Sequence, residues 1–237
     1  MVYAWLSVIV ISMSNSKQNV VKNGAKNAGK GYLFFWSRGS AKVKCFSNFW
    51  GVDLSVTWAS EEEEGIPAFL RGETRRYPSA EHAYMALRAL DNSSACEFEV
   101  GGLFASFEIF RKWPKKGGGK DMMASKQKAW GECIGIIAKM VSRLEPGVIW
   151  RTWGVKWESK KRLINVWRDI FEAKYTAENG LGKALLATMP LELVEFDRAP
   201  HHKKRSFWGG KLVEGRLVGA NTMGGLLQER RLALALA

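Results

Sequence analysis

The chain has 237 residues, a formal net charge of +13 and 46% apolar residues. That length and apolar fraction exclude a disordered chain and provide for one large core or two small ones. The charge points to an anionic partner, whether a nucleic acid, a nucleotide phosphate or an acidic surface. The three cysteines, Cys45, Cys96 and Cys133, form no CxxC pair, and His82, His201 and His202 lack HxxxH spacing. A disulfide framework and a cysteine zinc site are thereby disfavoured, a reducing, cytoplasmic setting fits, and neither metal nor cofactor is expected.

In chain order, the apolar run Ala4 to Ile11 is too short to span a bilayer, so no membrane partner is expected, a weakly membrane-associating tail being the alternative. The polar stretch that follows, to Lys30, reads with it as a flexible leader over residues 1–31, with Met13 as an alternative start. Tyr32 to Trp36 is predicted as the first core strand. Val52 to Trp58 alternates as a strand, the acidic run Glu61 to Glu64 forms a solvated tip, and Pro67 to Arg71 makes the return strand. Residues 96–157 carry few signals and are harder to read. Within them Trp113 to Lys120 is a loop that does not satisfy the GxxxxGK[ST] phosphate-binding pattern, and Ser125 to Arg143 is helical with a stripe of Trp130, Cys133, Ile134, Ile137 and Val141. Ser159 to Tyr175 is a strong amphipathic helix with Leu163, Val166, Trp167, Ile170 and Phe171 inward, stopped by Asn179-Gly180. A short helix over Leu181 to Thr188, a strand over Leu191 to Phe196 and a closing helix from Asn221 to Leu234 complete the reading. No repeat or second composition regime is present, so residues 32–234 are expected to form one α+β domain, mainly helical, with a short strand cluster.

The most informative segment runs from Tyr77 to Leu90. Pro78 suits a helix entry and Ser79 is a good N-cap, so Glu81 falls on the first turn of a helix. Ala80, Ala83, Tyr84, Leu87 and Leu90 recur at helical spacing and should be buried. Glu81, Tyr84, Met85 and Arg88 lie at i, i+3, i+4 and i+7, which lets Glu81 face the same cleft as Arg88. Glu81 also fits a purely structural role, complementing the helix dipole for under about 1 kcal/mol.

A cleft that works on a sugar or nucleotide needs a carboxylate to stabilise charge or move a proton, flat surfaces for a base and donors for phosphate. The chain has a candidate for each part of such a site. Glu81 is the carboxylate; Phe46, Tyr84 and Trp208 are stacking surfaces; Asn48, Arg88 and Asn221 are donors. Gly209 beside Trp208 permits close backbone approach. Each has a structural alternative: a loop hydrogen bond for Asn48, a core anchor for Trp208, a helix cap for Asn221.

Tyr77-Pro-Ser-Ala-Glu-His-Ala-Tyr-Met-Ala-Leu-Arg88 resembles the central motif of the NADAR, or YbiA-like, family. Cys45-Phe-Ser-Asn-Phe-Trp50, preceded by Tyr32-Leu-Phe-Phe-Trp-Ser37, resembles its upstream element. Leu185-Leu-Ala-Thr188, Leu193-Val-Glu195, Phe207-Trp-Gly-Gly210, Gly219-Ala-Asn-Thr-Met-Gly224 and Leu226-Leu-Gln-Glu-Arg230 resemble its C-terminal pattern. The resemblance spans about Tyr32 to Arg231, and relative to the shortest members part of the region around 96–157 looks like an insertion. It implies an N-glycosidase acting on an ADP-ribosylated base or on a ribosylamino-pyrimidine phosphate of the riboflavin-intermediate type, free or attached to nucleic acid. It implies that Glu81 is the acid/base or charge-stabilising group, and that Asn48, Trp208, Gly209 and Asn221 shape the ribose-phosphate pocket. Two positions depart from the pattern: Arg88 stands where many members have lysine, and Arg205 where many have aspartate. A guanidinium binds phosphate but is no amine nucleophile, so a non-catalytic ADP-ribose or nucleotide-binding module is the alternative.

Overall fold

The computed structural model describes residues 31–36, 41–60, 66–112, 122–144, 157–197, 207–214 and 216–237. Residues 1–30 of the expected leader, the acidic run Glu61 to Glu64, the loop Trp113 to Lys120, His201, His202 and Arg205 lie outside the described residues. The elements in chain order are β1 (Tyr32–Phe35), α1 (Ala41–Lys44), β2 (Leu54–Thr57), β3 (Thr74–Tyr77), α2 (Ala80–Ala86), α3 (Asn92–Cys96), a 3-10 turn (Leu103–Ala105), α4 (Ile109–Lys112), α5 (Met122–Trp130), α6 (Ile136–Leu144), α7 (Trp157–Lys174), α8 (Gly180–Leu186), β4 (Glu192–Glu195), β5 (Lys211–Val213), β6 (Arg216–Val218) and α9 (Thr222–Leu236). The fold class is α+β, mainly helical, and the described strands occur in three two-stranded sheets. No described helix is long and apolar enough to cross a membrane. The chain divides into two compact units, Ser37–Tyr175 and a terminal unit made of Met1–Trp36 with Thr176–Ala237.

In the central unit β2 and β3 pair antiparallel, with Leu54 opposite Tyr77 and Thr57 opposite Thr74. Leu54 and Val56 are buried while Ser55 and Thr57 are exposed, the alternation of a sheet with one wet face. Trp58 and Tyr77 are both buried, and the Trp58 indole donates to the Tyr77 hydroxyl at 3.2 Å. The return strand is Thr74–Tyr77, not Pro67 to Arg71. Leu70 N bonds Pro67 O and Arg71 N bonds Ala68 O, so that segment closes on itself as a turn. The expected helix over Ser125 to Arg143 is likewise two helices, α5 and α6, separated at Gly131, whose φ of 51° is left-handed. Cys133, Ile137 and Val141 are buried as expected.

α7 buries Leu163, Val166, Trp167, Ile170 and Phe171, the predicted stripe. Five such side chains contribute on the order of 10 kcal/mol of apolar burial before chain entropy is counted. α2 is shorter than expected, ending at Ala86, and Leu90 lies exposed instead of extending the buried face. Arg88 N and Ala89 N bond to Met85 O and Ala86 O, the i−3 pattern by which a helix tightens and stops.

In the terminal unit β1 and β4 run parallel, Tyr32 opposite Glu192 and Phe35 opposite Glu195. Phe34, Phe35, Leu193 and Val194 are buried, as strands in the middle of a core require. α7 has already ended at Lys174, so Asn179 does not stop it; its carboxamide oxygen caps α8 instead, accepting from Gly182 N at 2.7 Å. β5 and β6 form an antiparallel hairpin that leads into α9.

Candidate functional site

The start of α2 is fixed by a Ser-x-x-His pair. Ser79 is extended (φ −167°) and its hydroxyl oxygen accepts from His82 N at 3.3 Å, the N-cap expected from sequence. His82 Nε2 lies 2.9 Å from the Phe104 carbonyl, which can only accept, so Nε2 carries the proton. Nδ1 therefore accepts from the Ser79 hydroxyl at 2.7 Å. Burial pushes the His82 imidazole down to about 4, so it is neutral near pH 7.

This cap places Glu81 on the first turn, where its backbone N–H donates to the Asn48 carbonyl at 3.1 Å. The Glu81 side chain is 8% exposed, and no described side chain hydrogen-bonds its carboxyl group. Burial raises it to about 7, opposed first by Lys139 and then by Arg88. Asn48 is also 8% exposed, and its covered carboxamide oxygen has no hydrogen-bond partner among the described residues. Buried polar atoms are nearly always paired, so the Asn48 amide oxygen is an exception, on the same residue whose carbonyl takes the Glu81 N–H.

α6 closes one side. Gly135 N donates to Phe49 O at 2.9 Å, and a Cβ on Gly135 would lie 2.6 Å from Phe49 Cα and 2.7 Å from the Ser79 hydroxyl oxygen. Only glycine lets the chain pass there. One turn on, the Lys139 ammonium sits 5.1 Å over the Phe49 ring. On α2, Tyr84 stacks on Trp167 with centroids 5.1 Å apart and planes at 27°. The Arg88 guanidinium lies 5.7 Å over the Tyr84 ring. The central unit thus brings together Glu81, Asn48, Tyr84 and Arg88. Phe46 belongs to the same unit, but its ring is packed in the core, 2% exposed.

The remaining candidates belong to the terminal unit. The Asn221 carboxamide donates to Leu193 O at 2.8 Å and accepts from Glu195 N at 3.1 Å, so both of its ends are taken by β4. It holds left-handed backbone (φ 50°) ahead of α9 and makes no side-chain cap. Trp208 is half-buried against Phe207, and its carbonyl accepts from Met223 N at 3.0 Å. Gly209 does permit a close approach, and the group approaching is protein: a Cβ there would lie 2.6 Å from Glu195 O.

Sequence reasoning missed two lysines. Lys139 gave no signal because α6 is brought to α2 only by tertiary packing. Lys174 ends an amphipathic helix, where a lysine ordinarily reaches solvent, yet it is fully buried and its amine donates to Ser47 O at 2.8 Å. Burial lowers it to about 7. A shallow depression of about 570 Å³ is lined by Trp50, Asp53, Pro78, Val100, Glu132 and Ile134 among others, three of them neighbours in sequence of Phe49, Ser79 and Gly135. Among the described residues no group of three or more His, Cys, Asp or Glu is arranged to hold a metal.

No family model matches the chain, and no curated protein matches it. Among solved structures it is similar to the NMR structure of the E. coli protein YbiA. The two are 20% identical, over 86% of this chain and 85% of that one, with a TM-score of 0.44. At that score and identity the likeness describes a similarity and carries nothing about chemistry.

Proposed function

We propose that the chain is an N-glycosidase that hydrolyses the bond between a ribose carbon and a base nitrogen, on an ADP-ribosylated base or a ribosylamino-pyrimidine phosphate. The observation that carries this reading is the pair of uncommitted, nine-tenths-buried polar side chains, Glu81 and Asn48, held together by the Glu81 N–H to Asn48 O bond. The motif resemblance drawn from the sequence supplies the substrate class.

In the proposed reaction the C1′–N bond breaks and its electron pair leaves with the base. A water oxygen bonds to C1′, and its proton passes to Glu81 and from there to solvent or the departing base. A carboxyl group near 7 suits both halves of that transfer, because it gains and loses a proton at little cost near neutral pH. The ionised form also stabilises the positive charge that grows on the ribose ring, and low exposure strengthens that attraction. Asn48 would hold a sugar hydroxyl or the attacking water. Tyr84, braced by Trp167, offers a stacking face, and Arg88 and Lys139 would receive phosphate oxygens. The proposed substrate is free or carried on nucleic acid, the net charge favouring the latter, and the proposed setting is the cytoplasm.

The second reading is a non-catalytic ADP-ribose or nucleotide-binding module. Arg88, at a position where the resembled motif commonly has an amine, favours it. The deciding experiment is base release from ADP-ribosylated guanine DNA and from a ribosylamino-pyrimidine phosphate by wild type and Glu81→Gln. Release by wild type that the variant loses supports the glycosidase. Equal release by both overturns the role of Glu81, and tight ADP-ribose binding without release from either substrate supports the binding module.

A further inference from the structure

The loop that carries Asn48 is held carbonyl by carbonyl. Phe46 O accepts from the Tyr175 hydroxyl at 3.3 Å and Ser47 O from the Lys174 amine at 2.8 Å. Asn48 O accepts from Glu81 N at 3.1 Å and Phe49 O from Gly135 N at 2.9 Å. Four successive peptide groups are thus tied to three different helices or their ends. The last two ties are backbone contacts that any sequence could make. The first two come from consecutive side chains at the end of α7.

Lys174 is the costly member. Its side chain is fully buried, with the Tyr175 ring 5.0 Å from its amine. Burying an ammonium group costs several kcal/mol, and an apolar side chain of similar volume fills such a space at no such cost. A lysine here is explained by what its amine holds, and that amine donates to Ser47 O, one residue before Asn48.

We propose that Lys174 is a positioning residue for the Glu81 site: its amine fixes the Ser47 carbonyl and so sets where Asn48 presents its own carbonyl to the Glu81 backbone and its carboxamide to the ligand. This rests on Glu81 and Asn48 forming the working pair. The geometry predicts that removing the amine lets the loop shift and admits water to the Glu81 carboxyl, whereas a lysine that merely fills space would leave that carboxyl as it is.

The test uses the full chain with glutamate labelled at the side-chain carboxyl carbon, the Glu81 resonance being assigned by its loss in Glu81→Gln. Lys174→Met keeps the apolar stem and removes the donor. The Glu81 titration midpoint, about 7 in the structure, is expected to fall by about one unit or more in this variant. Base release from ADP-ribosylated guanine DNA is expected to fall about tenfold or more in kcat with KM changed less than about twofold, as for a misplaced catalytic group. An unmoved Glu81 midpoint in folded Lys174→Met overturns the inference. Lys174→Gln, which keeps an N–H donor on a shorter stem, should recover part of the midpoint shift. If the methionine variant does not fold, Lys174→Leu, which also lacks a donor, carries the test: a lowered midpoint there supports the inference and a wild-type midpoint overturns it. The titration needs no substrate, so a wild type that releases no base refutes the glycosidase while leaving Lys174 to be decided by the resonance.

Discussion

The backbone N–H of Glu81 donates to the carbonyl of Asn48 at 3.1 Å, so the helix that carries the carboxyl and the loop that carries the carboxamide move as one. An N-terminal helical N–H has no partner within its own helix, and here the partner is the other half of the candidate site.

Two buried groups pull the pH dependence of stability in opposite directions. Glu81, raised from 4.5 to about 7, takes up a proton more readily folded than unfolded, so its contribution is complete below pH 4.5 and is lost as pH rises to 7. His82, lowered from 6.5 to about 4, binds a proton less readily when folded, so its contribution is complete above pH 6.5 and is lost as pH falls to 4. The two slopes nearly cancel between them. Urea unfolding of Glu81→Gln should therefore show stability rising from pH 4 to 6.5, a slope hidden in wild type, with a gain over wild type at pH 8 on the order of 3 kcal/mol. A variant as pH-insensitive as wild type in that range would contradict the burial of Glu81.

Asn48→Ala should separate binding from stability. The carboxamide oxygen makes no hydrogen bond among the described residues, so its removal leaves none of them newly unpaired. Thermal unfolding is expected to change by less than about 1 kcal/mol. ADP-ribose affinity, read by calorimetry, should drop about tenfold, the value of one buried hydrogen bond. Unchanged affinity would remove Asn48 from the site.

Gly135→Ala should do the reverse. The added methyl would meet Phe49 Cα at 2.6 Å, a backbone atom that yields only if the loop moves. A loss of about 1–3 kcal/mol in unfolding free energy is expected, together with reduced base release. Wild-type stability would show that α6 does not press on the loop.

Arg88→Ala should weaken a phosphate-bearing ligand far more than the fold, because Arg88 is half-buried and lies past the end of α2, its guanidinium 5.7 Å over the Tyr84 ring. ADP-ribose affinity should fall while adenosine affinity stays within about twofold, since only the former carries phosphate. Equal losses for both ligands would place Arg88 away from the phosphates.

What was legible in the sequence follows from how far each signal reaches. The Ser79 cap and the first-turn position of Glu81 depend on neighbours three residues apart, and both are in the structure. The apolar stripe of α7 is a periodic signal over eighteen residues, and it too is there. The return strand was misplaced because Pro67 to Arg71 is the more apolar segment, whereas Thr74–Tyr77 carries Arg75 and Arg76. Their charges are met by Glu99 at 2.8 Å and by Asp53, partners that no local pattern announces. The Lys174 amine and Ser47 O are 127 residues apart in sequence, so their bond left no trace in any window of residues.

The Asn221 carboxamide has a consequence beyond the start of α9. It answers one N–H and one C=O along the side of β4 that faces away from β1, and Gln228 answers the Leu193 N–H beside it at 3.2 Å. Gly210 N takes the Glu195 carbonyl on the same side. Side-chain amides and a short backbone bridge thus stand in for a third strand. An extended peptide, or a second copy of the chain, finds no open hydrogen-bonding row there on which to lay itself.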